Sequence, residues 1–221
     1  MTVNFRDITT WVFDLDNTLY PPSVRLFDQI ETRMVRYVMD FLEVSKDQAD
    51  ALRAQYWRSH GTTLAGLMDI HGMPPHDFLT DVHDIDFSVL PRDPTLAAHI
   101  QALPGRKIIY TNGTAPYAEN VITARGLSGL FDAIYGVEHA NFRPKPEKAA
   151  FDTVFGIDGF DPKHAIMFED EPRNLAVPHD MGMTTVHVAP TPIKANYIHY
   201  HTTDLADFLT QTGDIGAKTD T

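Results

Sequence analysis

The chain has 221 residues, a formal net charge of −12 and no cysteine. Its length allows one globular core and a small second domain, and its content of 43% hydrophobic and 22% charged residues is typical of globular proteins. The acidic balance and the lack of a basic stripe exclude a nucleic acid polymer as the expected partner, and the lack of cysteine excludes disulfides and thiolate metal sites. No apolar run is long enough to cross a membrane and no signal peptide is visible, so we expect a cytoplasmic protein with no membrane partner.

The first predicted strand ends in two aspartates. The stretch TWVFDLDNTLYPP (10–22) contains the apolar run Trp11–Phe13, which is followed by Asp14 and Asp16. Because side chains two residues apart project from the same side of an extended backbone, the two carboxylates are expected to lie together. Like charges in contact are unfavourable unless a cation lies between them. The pattern therefore predicts a cation at the end of this strand.

Helical patterning then interrupts the strands from residue 21 to residue 103. Apolar residues recur at spacings of three and four in the first of these segments, and a capping box at Ser45 predicts the start of the second. The predicted helices cover 24–41, 45–57, 62–72, 74–85 and 95–103. We therefore expect a small helical domain inserted after the first strand.

The alternation of strands and helices continues after this insertion. The further predicted strands are KIIYTNG (107–113), AIYGVEHA (133–140), AIMFEDE (165–171) and TTVHVAP (184–190), with helices over 115–126, 146–155 and 172–181. Apolar runs of this kind suit strands that are buried on both faces, and the alternation implies right-handed βαβ units. The sequence predicts an α/β fold with a doubly wound parallel sheet. Its core domain comprises 1–20 and 104–212, the inserted domain 21–103, and a disordered tail 213–221.

Polar side chains follow the predicted strands at their carboxyl ends. Thr111 and Asn112 follow the second strand, Glu169 and Asp170 follow the fourth, and Lys145 lies in the loop RPKPEKAAF before a helix. Ligands of parallel α/β sheets bind beyond the carboxyl ends of the strands, so these side chains are expected to converge on the first strand's aspartates. Carboxylates from two strands suit Mg²⁺, which prefers oxygen ligands, water and substrate phosphate. The expected cations are therefore Mg²⁺ and Lys145.

Four motifs in this order resemble those of the haloacid dehalogenase (HAD) superfamily. DLDNTLYP (14–21) is similar to its first motif, DxDxT, and Thr111 is similar to the Ser or Thr of its second. Lys145 matches the lysine of the third motif, and Glu169-Asp170 matches the acidic pair that follows. The resemblance extends from residue 10 to about residue 190. It implies a Rossmann-like core with a helical cap.

The resemblance also implies a Mg²⁺-dependent phosphomonoesterase that acts through an aspartyl-phosphate. Asp14 is then the nucleophile, Asp16 protonates the leaving oxygen and later activates water, and Lys145 offsets negative charge. The remaining implied contacts are Thr111 and the backbone beside Asn112 for phosphate oxygens, and Asp14, the Asp16 carbonyl and Asp170 for Mg²⁺, with Glu169 nearby or ligating. An acid at position 16 favours a phosphatase, because the family's dehalogenases lack it there.

The substrate is suggested by a narrower resemblance. DLDNTLYP, HGTTLAGL (60–67) and VEHANFRPKPE (137–147) are together most similar to the pyrimidine 5′-nucleotidase branch, which implies substrates like UMP and CMP. Thr63, beside Thr62, is then a candidate substrate contact in the cap. The alternatives are a phosphatase of another small ester, such as a sugar phosphate or phosphoglycolate, a phosphomutase, and a catalytically silent binding module. The sequence does not indicate the oligomeric state.

Overall fold

The computed structural model describes residues 5–213 of the chain. Its strands are β1 (Thr10–Phe13), β2 (Arg106–Tyr110), β3 (Ala133–Tyr135), β4 (Ala165–Glu169), β5 (Thr184–Val188) and β6 (Tyr200–Thr202). Its helices are α1 (Leu26–Leu42), α2 (Lys46–His60), α3 (Thr63–His71), α4 (Pro75–Val82), α5 (Pro94–Ala102), α6 (Ala115–Arg125), α7 (Lys148–Asp158), α8 (Ala176–Asp180) and α9 (Leu205–Gly213). Apart from Gly213, the last residue of α9, the predicted tail 213–221 lies outside the described residues.

The six strands form one parallel sheet in the order β3-β2-β1-β4-β5-β6. β1 lies inside the sheet, where it pairs with β2 on one side and β4 on the other. Trp11 and Phe13 pack into the core on one face of the sheet, and Val12 packs into the core on the other face. β1 is apolar at successive positions because both of its faces are covered. The predicted α/β fold with a doubly wound parallel sheet is confirmed.

Helices cover the two faces of the sheet. α5, α6 and α9 contribute to the core that contains Trp11, whereas α7 and the segment around α8 contribute to the core that contains Val12. Phe13 stacks on Phe168 of β4, with ring centroids 4.9 Å apart. Full burial of side chains of this size stabilises the fold by about 1.5–3 kcal/mol each. The sheet is thereby a rigid support for the residues that follow its strands.

Four helices, α1–α4, lie between β1 and β2 and are called the helical insertion. α1 packs against α2 and α4, and α2 also packs against α3. The predicted capping box is present at the start of α2, where Ser45 and Gln48 exchange hydrogen bonds. The predicted helix near 95–103 is α5, which packs against α9 of the core. The domain boundaries at residues 21 and 103 stay a prediction.

The ends of several elements differ from those predicted. α1 begins at Leu26, because residues 22–24 form a 3-10 turn and Arg25 adopts a left-handed backbone conformation. The segment predicted as a helix over 172–181 begins as a 3-10 turn over Pro172–Leu175 and becomes α-helical only at Ala176. Within residues 5–213, the helices are too short or too polar to cross a bilayer.

Candidate active site

The residues predicted for the site lie around one cavity of about 640 Å³. The loops after β1, β2 and β4 supply its floor, the loop before α7 supplies Lys145, and the helical insertion supplies the opposite walls. The predicted residues that line it are Asp14, Asp16, Thr63, Thr111, Asn112, Lys145, Glu169 and Asp170. Because all strands are parallel, their carboxyl ends meet at this edge of the sheet. The structure therefore brings every predicted site residue to the same cavity.

Lys145 lies at the centre of the floor, and its side chain is almost completely buried. Its ammonium donates hydrogen bonds to Asp14 Oδ1 at 2.7 Å, to Glu169 Oε2 at 2.6 Å and to the Tyr110 carbonyl at 3.0 Å. Burial opposes the charged ammonium, but the two carboxylates outweigh it and hold the pKa of Lys145 above its ordinary value. The lysine is thus a fixed cation in contact with two acids.

Asp14, Glu169 and Asp170 form an acidic cluster, with candidate ligand oxygens within 4.8 Å of one another. Burial and Glu169 raise the pKa of Asp14 to about 7, although Lys145 opposes the shift. Burial, Glu169 and Asp14 raise the pKa of Asp170 to about 9. The single positive charge of Lys145 does not balance the three carboxyl groups, and a divalent cation would relieve their repulsion. The oxygen-only donor set fits Mg²⁺.

The carboxyl group of Asp16 is held by two tyrosines. Its Oδ1 accepts a hydrogen bond from Tyr20 Oη at 2.6 Å and another from Tyr117 Oη at 2.5 Å. Burial and Asp14 raise the pKa of Asp16 to about 6, although both tyrosine hydrogen bonds favour its charged form. The carboxylate of Asp16 is not part of the acidic cluster, so a contribution to a metal would come from its carbonyl oxygen.

Two polar residues follow β2 and have different surroundings. Thr111 is 1% exposed, and its Oγ1 accepts a hydrogen bond from Gly113 N at 2.9 Å. The side chain of Asn112 instead hydrogen bonds to the backbone of Lys145, through Lys145 N at 2.8 Å and Lys145 O at 3.1 Å. The side-chain amide of Asn112 therefore positions the backbone of Lys145.

The helical insertion gives the cavity two unlike walls. The wall formed by α1 and α4 is mostly apolar, with Phe27, Ile30, Met34, Phe78, Leu79 and Val82. The wall formed by α2 is polar and includes Arg53, whose Nε is buried without a hydrogen-bond partner. Thr63 lies at the start of α3, where the preceding Thr62 accepts a hydrogen bond from Ala65 N at 3.1 Å. These walls face the acidic cluster and Lys145 across the cavity.

Four residues that the sequence analysis did not assign to the site also contact it. Tyr20 and Tyr117 bind Asp16, and His187 Nε2 donates to the Asp170 carbonyl at 3.0 Å. Arg173 donates to the carbonyls of Trp57 and Gly61 at the end of α2, both at 2.9 Å, and stacks on the Trp57 ring. These contacts join residues that are distant in sequence. Of the four, Tyr20 lies inside the DLDNTLYP motif, whereas the other three lie in segments predicted only as a strand or helices.

The fold and the site define an α/β protein with an acidic, lysine-containing centre and a helical insertion over it. The chain belongs to the haloacid dehalogenase-like hydrolase family, whose sequence model matches residues 11–188. The superfamily predicted from the four motifs is therefore confirmed.

A curated relative is validoxylamine A 7′-phosphate phosphatase of Streptomyces hygroscopicus subsp. limoneus. It is 27% identical to this chain over 95 residues, which cover 41% of this chain and 44% of that protein. The chain thus matches less than half the length of this relative.

Similar solved structures confirm the fold. The magnesium-bound HAD-hydrolase YfnB of Bacillus subtilis has a TM-score of 0.61 and 17% identity, over 94% of this chain and 99% of that chain. A HAD phosphatase from Thermococcus onnurineus has a TM-score of 0.61 and 18% identity, over 93% and 98%. The L-2-haloacid dehalogenase of Xanthobacter autotrophicus has a TM-score of 0.61 and 17% identity, over 93% and 98%. Phosphatases and dehalogenases share this fold, so the fold alone does not determine the reaction.

Proposed function

We propose that this protein is a Mg²⁺-dependent phosphomonoesterase that forms an aspartyl-phosphate at Asp14. The observation that carries this proposal is the second acid, Asp16, which lies beside the nucleophile and whose pKa burial and Asp14 raise to about 6. The leaving group of a phosphate ester is an alkoxide that needs a proton, whereas a halide leaves without one. An acid held at this position therefore supports phosphatase over dehalogenase chemistry.

The proposed reaction has two steps that use the same two aspartates. An Asp14 carboxylate oxygen attacks phosphorus as the ester bond breaks, and Asp16 gives its proton to the departing oxygen. Asp16 then takes a proton from a water molecule that attacks phosphorus, which releases phosphate and restores Asp14. Thr111 and the backbone beside Asn112 hold the phosphoryl oxygens, and the charge of Lys145 offsets the negative charge on Asp14 and the phosphoryl group.

The acidic cluster is proposed to hold Mg²⁺. Asp14, Asp170 and the Asp16 carbonyl would bind it, and it would supply positive charge to the phosphoryl oxygens during transfer. Glu169 is assigned beside this set, because its Oε2 already accepts a hydrogen bond from Lys145 at 2.6 Å. The magnesium reported with YfnB of Bacillus subtilis supports the same ion here.

The partner is proposed to be a small phosphate ester, specifically a pyrimidine nucleoside 5′-monophosphate such as UMP or CMP. This finer proposal depends on the resemblance of the three stretches around residues 14–21, 60–67 and 137–147. The cavity of about 640 Å³ has room for a leaving group of this size. The name of the curated relative supports a phosphatase. The competing substrates are other small esters, such as a sugar phosphate or phosphoglycolate.

The test is Mg²⁺-dependent hydrolysis of p-nitrophenyl phosphate, followed by a panel of UMP, CMP, sugar phosphates, phosphoglycolate and 2-chloropropionate. We expect hydrolysis that a chelator abolishes, and no release of chloride. Asp14→Asn should abolish turnover, because the amide is not a nucleophile. Asp152→Asn, at an exposed position of α7, is the control and should retain it. Mg²⁺-dependent activity in Asp14→Asn would contradict the mechanism. A panel without preference for UMP or CMP would contradict only the nucleotidase assignment.

A further inference from the structure

The two tyrosines at Asp16 donate to the same oxygen atom. Tyr20 Oη lies 2.6 Å and Tyr117 Oη 2.5 Å from Asp16 Oδ1, and each tyrosine is 1% exposed. A carboxylate oxygen has two lone pairs, so two donors occupy the accepting capacity of Oδ1. The proton of a protonated Asp16 must then be carried by Oδ2. The tyrosines thereby determine which oxygen of the acid can donate.

The pair comes from two separate parts of the core. Tyr20 follows Asp16 by four residues, whereas Tyr117 lies in α6, 101 positions later in the chain. Short hydrogen bonds from both sides prevent rotation of the carboxyl group, which would exchange its two oxygens. A general acid loses efficiency when its proton points away from the leaving oxygen, so this restraint bears directly on the reaction.

His83, which follows the helical insertion, packs against Tyr117. The ring of His83, directly after α4, stacks on Tyr117 with centroids 4.3 Å apart and planes 9° apart. His83 Nδ1 also lies 3.3 Å from Thr114 Oγ1, the residue that caps α6. On the backbone side, a Cβ at Gly113 would lie 2.7 Å from Tyr117 Cδ1, so the ring occupies the space that glycine leaves.

We propose that Tyr20 and Tyr117 are positioning residues that fix the general acid Asp16 with Oδ2 as its proton-bearing oxygen, and that His83 holds Tyr117 in place. The proposal rests on the phosphatase function proposed above. It assigns to three side chains a role that acts through Asp16 and not through contact with the substrate. It also connects the residue directly after α4 to the acid through the stacked rings of His83 and Tyr117.

The test compares two kinds of ester, because the demand for a general acid depends on the leaving group. The leaving group of an alkyl phosphate is a strongly basic alkoxide that needs the proton. The leaving group of p-nitrophenyl phosphate is a weakly basic phenolate, which needs it much less. The measured quantity is kcat/KM, which reports the steps through phosphoryl transfer to Asp14. Asp16→Asn removes the general acid and should therefore show the largest loss of kcat/KM for the alkyl ester, because a general acid contributes about 10²–10⁴-fold to the rate for an ester that needs it.

We expect Tyr20→Phe and Tyr117→Phe each to lower kcat/KM for the alkyl ester by about tenfold. This loss is smaller than that of Asp16→Asn, because each variant removes only one of the two hydrogen bonds that orient the acid. The value for p-nitrophenyl phosphate should change little. Tyr56→Phe is the matched control, because Tyr56 is also buried and its hydroxyl is hydrogen bonded to His71 at 2.7 Å, away from the cavity. This control should affect both esters equally.

His83 is tested through the same two esters. His83→Phe keeps a flat ring over Tyr117 and should retain most activity, whereas His83→Ala removes the ring and should lower kcat/KM selectively for the alkyl ester. In the Tyr117→Phe background, His83→Ala should have almost no further selective effect, since both changes act through one hydrogen bond.

The outcomes separate this inference from the function on which it rests. If the wild-type protein does not hydrolyse either ester with Mg²⁺, the proposed function fails and the inference fails with it. If the wild type is active but the tyrosine variants lose both esters equally, or lose neither, the positioning role alone is overturned. Thermal unfolding of each variant shows whether an equal loss reflects a damaged fold.

Discussion

The side-chain amide of Asn112 hydrogen bonds to both polar backbone groups of Lys145. Lys145 N donates to Asn112 Oδ1 at 2.8 Å, and Asn112 Nδ2 donates to Lys145 O at 3.1 Å. The ammonium of the same lysine is bonded to Asp14 and Glu169. Lys145 is therefore fixed at its backbone by one strand end and at its side chain by two others.

Removal of the Asn112 side chain should disturb the lysine without changing a charge. Asn112→Ala leaves the backbone N–H and carbonyl of Lys145 without these partners, which costs about 1–3 kcal/mol for each group that stays buried and unpaired. We expect a lower free energy of unfolding and a lower kcat for all phosphate esters alike. Chemical denaturation and steady-state kinetics would measure the two effects. Unchanged stability together with unchanged kcat would show that Lys145 is held by other contacts.

Lys145→Met should be far more damaging than a similar change at the surface. It leaves Asp14 and Glu169 buried near each other without their shared cation, and a broken buried ion pair costs about 3–5 kcal/mol. We expect loss of turnover and a large fall in the free energy of unfolding, measured by chemical denaturation. Lys148→Met is the matched control, because Lys148 is exposed and pairs with Asp152 at 2.6 Å on the surface of α7. A surface pair contributes about 0–1 kcal/mol, so similar losses in both variants would contradict the buried triad.

Mg²⁺ should raise the melting temperature of the protein. The ion relieves the repulsion in the acidic cluster, and a ligand at 100 times its dissociation constant stabilises the native state by about 2.7 kcal/mol. For a chain of this length that corresponds to a rise of about 5–10 °C in Tm, measured by differential scanning fluorimetry with and without chelator. Asp170→Asn should remove most of the rise, and Asp152→Asn should keep it. An equal rise in wild type and Asp170→Asn would exclude the cluster as the site of binding.

Thr63→Phe should change the choice of substrate. Thr63 is buried and lines the cavity at the start of α3, so under the proposed function a larger side chain there takes volume from the leaving group. Binding energy from that group helps to position the phosphate, and we expect kcat/KM for nucleotides to fall by about tenfold. Acetyl phosphate, which scarcely reaches the helical insertion, should be hydrolysed almost as before. Thr32→Phe, at an exposed position of α1, is the control, and equal losses on both substrates would remove Thr63 from the substrate wall.

The strands and their polar ends could be predicted from the sequence because the signal there is local. Val12 and its neighbours are apolar at consecutive positions, as two covered faces require, and the acids at 14, 16, 169 and 170 directly follow such runs. Parallel pairing then places these strand ends together without further information. The family motifs added the role of Lys145. Without them, a lysine between prolines would be expected to lie exposed to solvent, whereas Lys145 is buried.

The contacts that orient the acids could not be predicted, because they depend on tertiary distances. Tyr117 and His187 are aromatic residues in apolar segments, where a place in the core is the ordinary expectation. Their polar atoms reach Asp16 and Asp170 only after α6 and β5 have been packed. α9 was not predicted either, since it follows the last strand that the apolar pattern indicated. The sequence also left open the role of Glu169, for which the structure supplies a partner in Lys145.

The separation of Asp14 and Lys145 by 131 positions has a consequence for the refolding of the chain. The helical insertion is built from contacts between neighbouring helices, α1 with α2 and α2 with α3. The contacts of Lys145 with the acidic cluster instead need β1, β4 and the loop before α7 together. Contacts between near neighbours close short loops and form quickly, and pairings of distant segments form late. During refolding from denaturant, the helical circular dichroism signal should therefore recover before enzymatic activity, and the lag measures the time needed to join the two ends of the core.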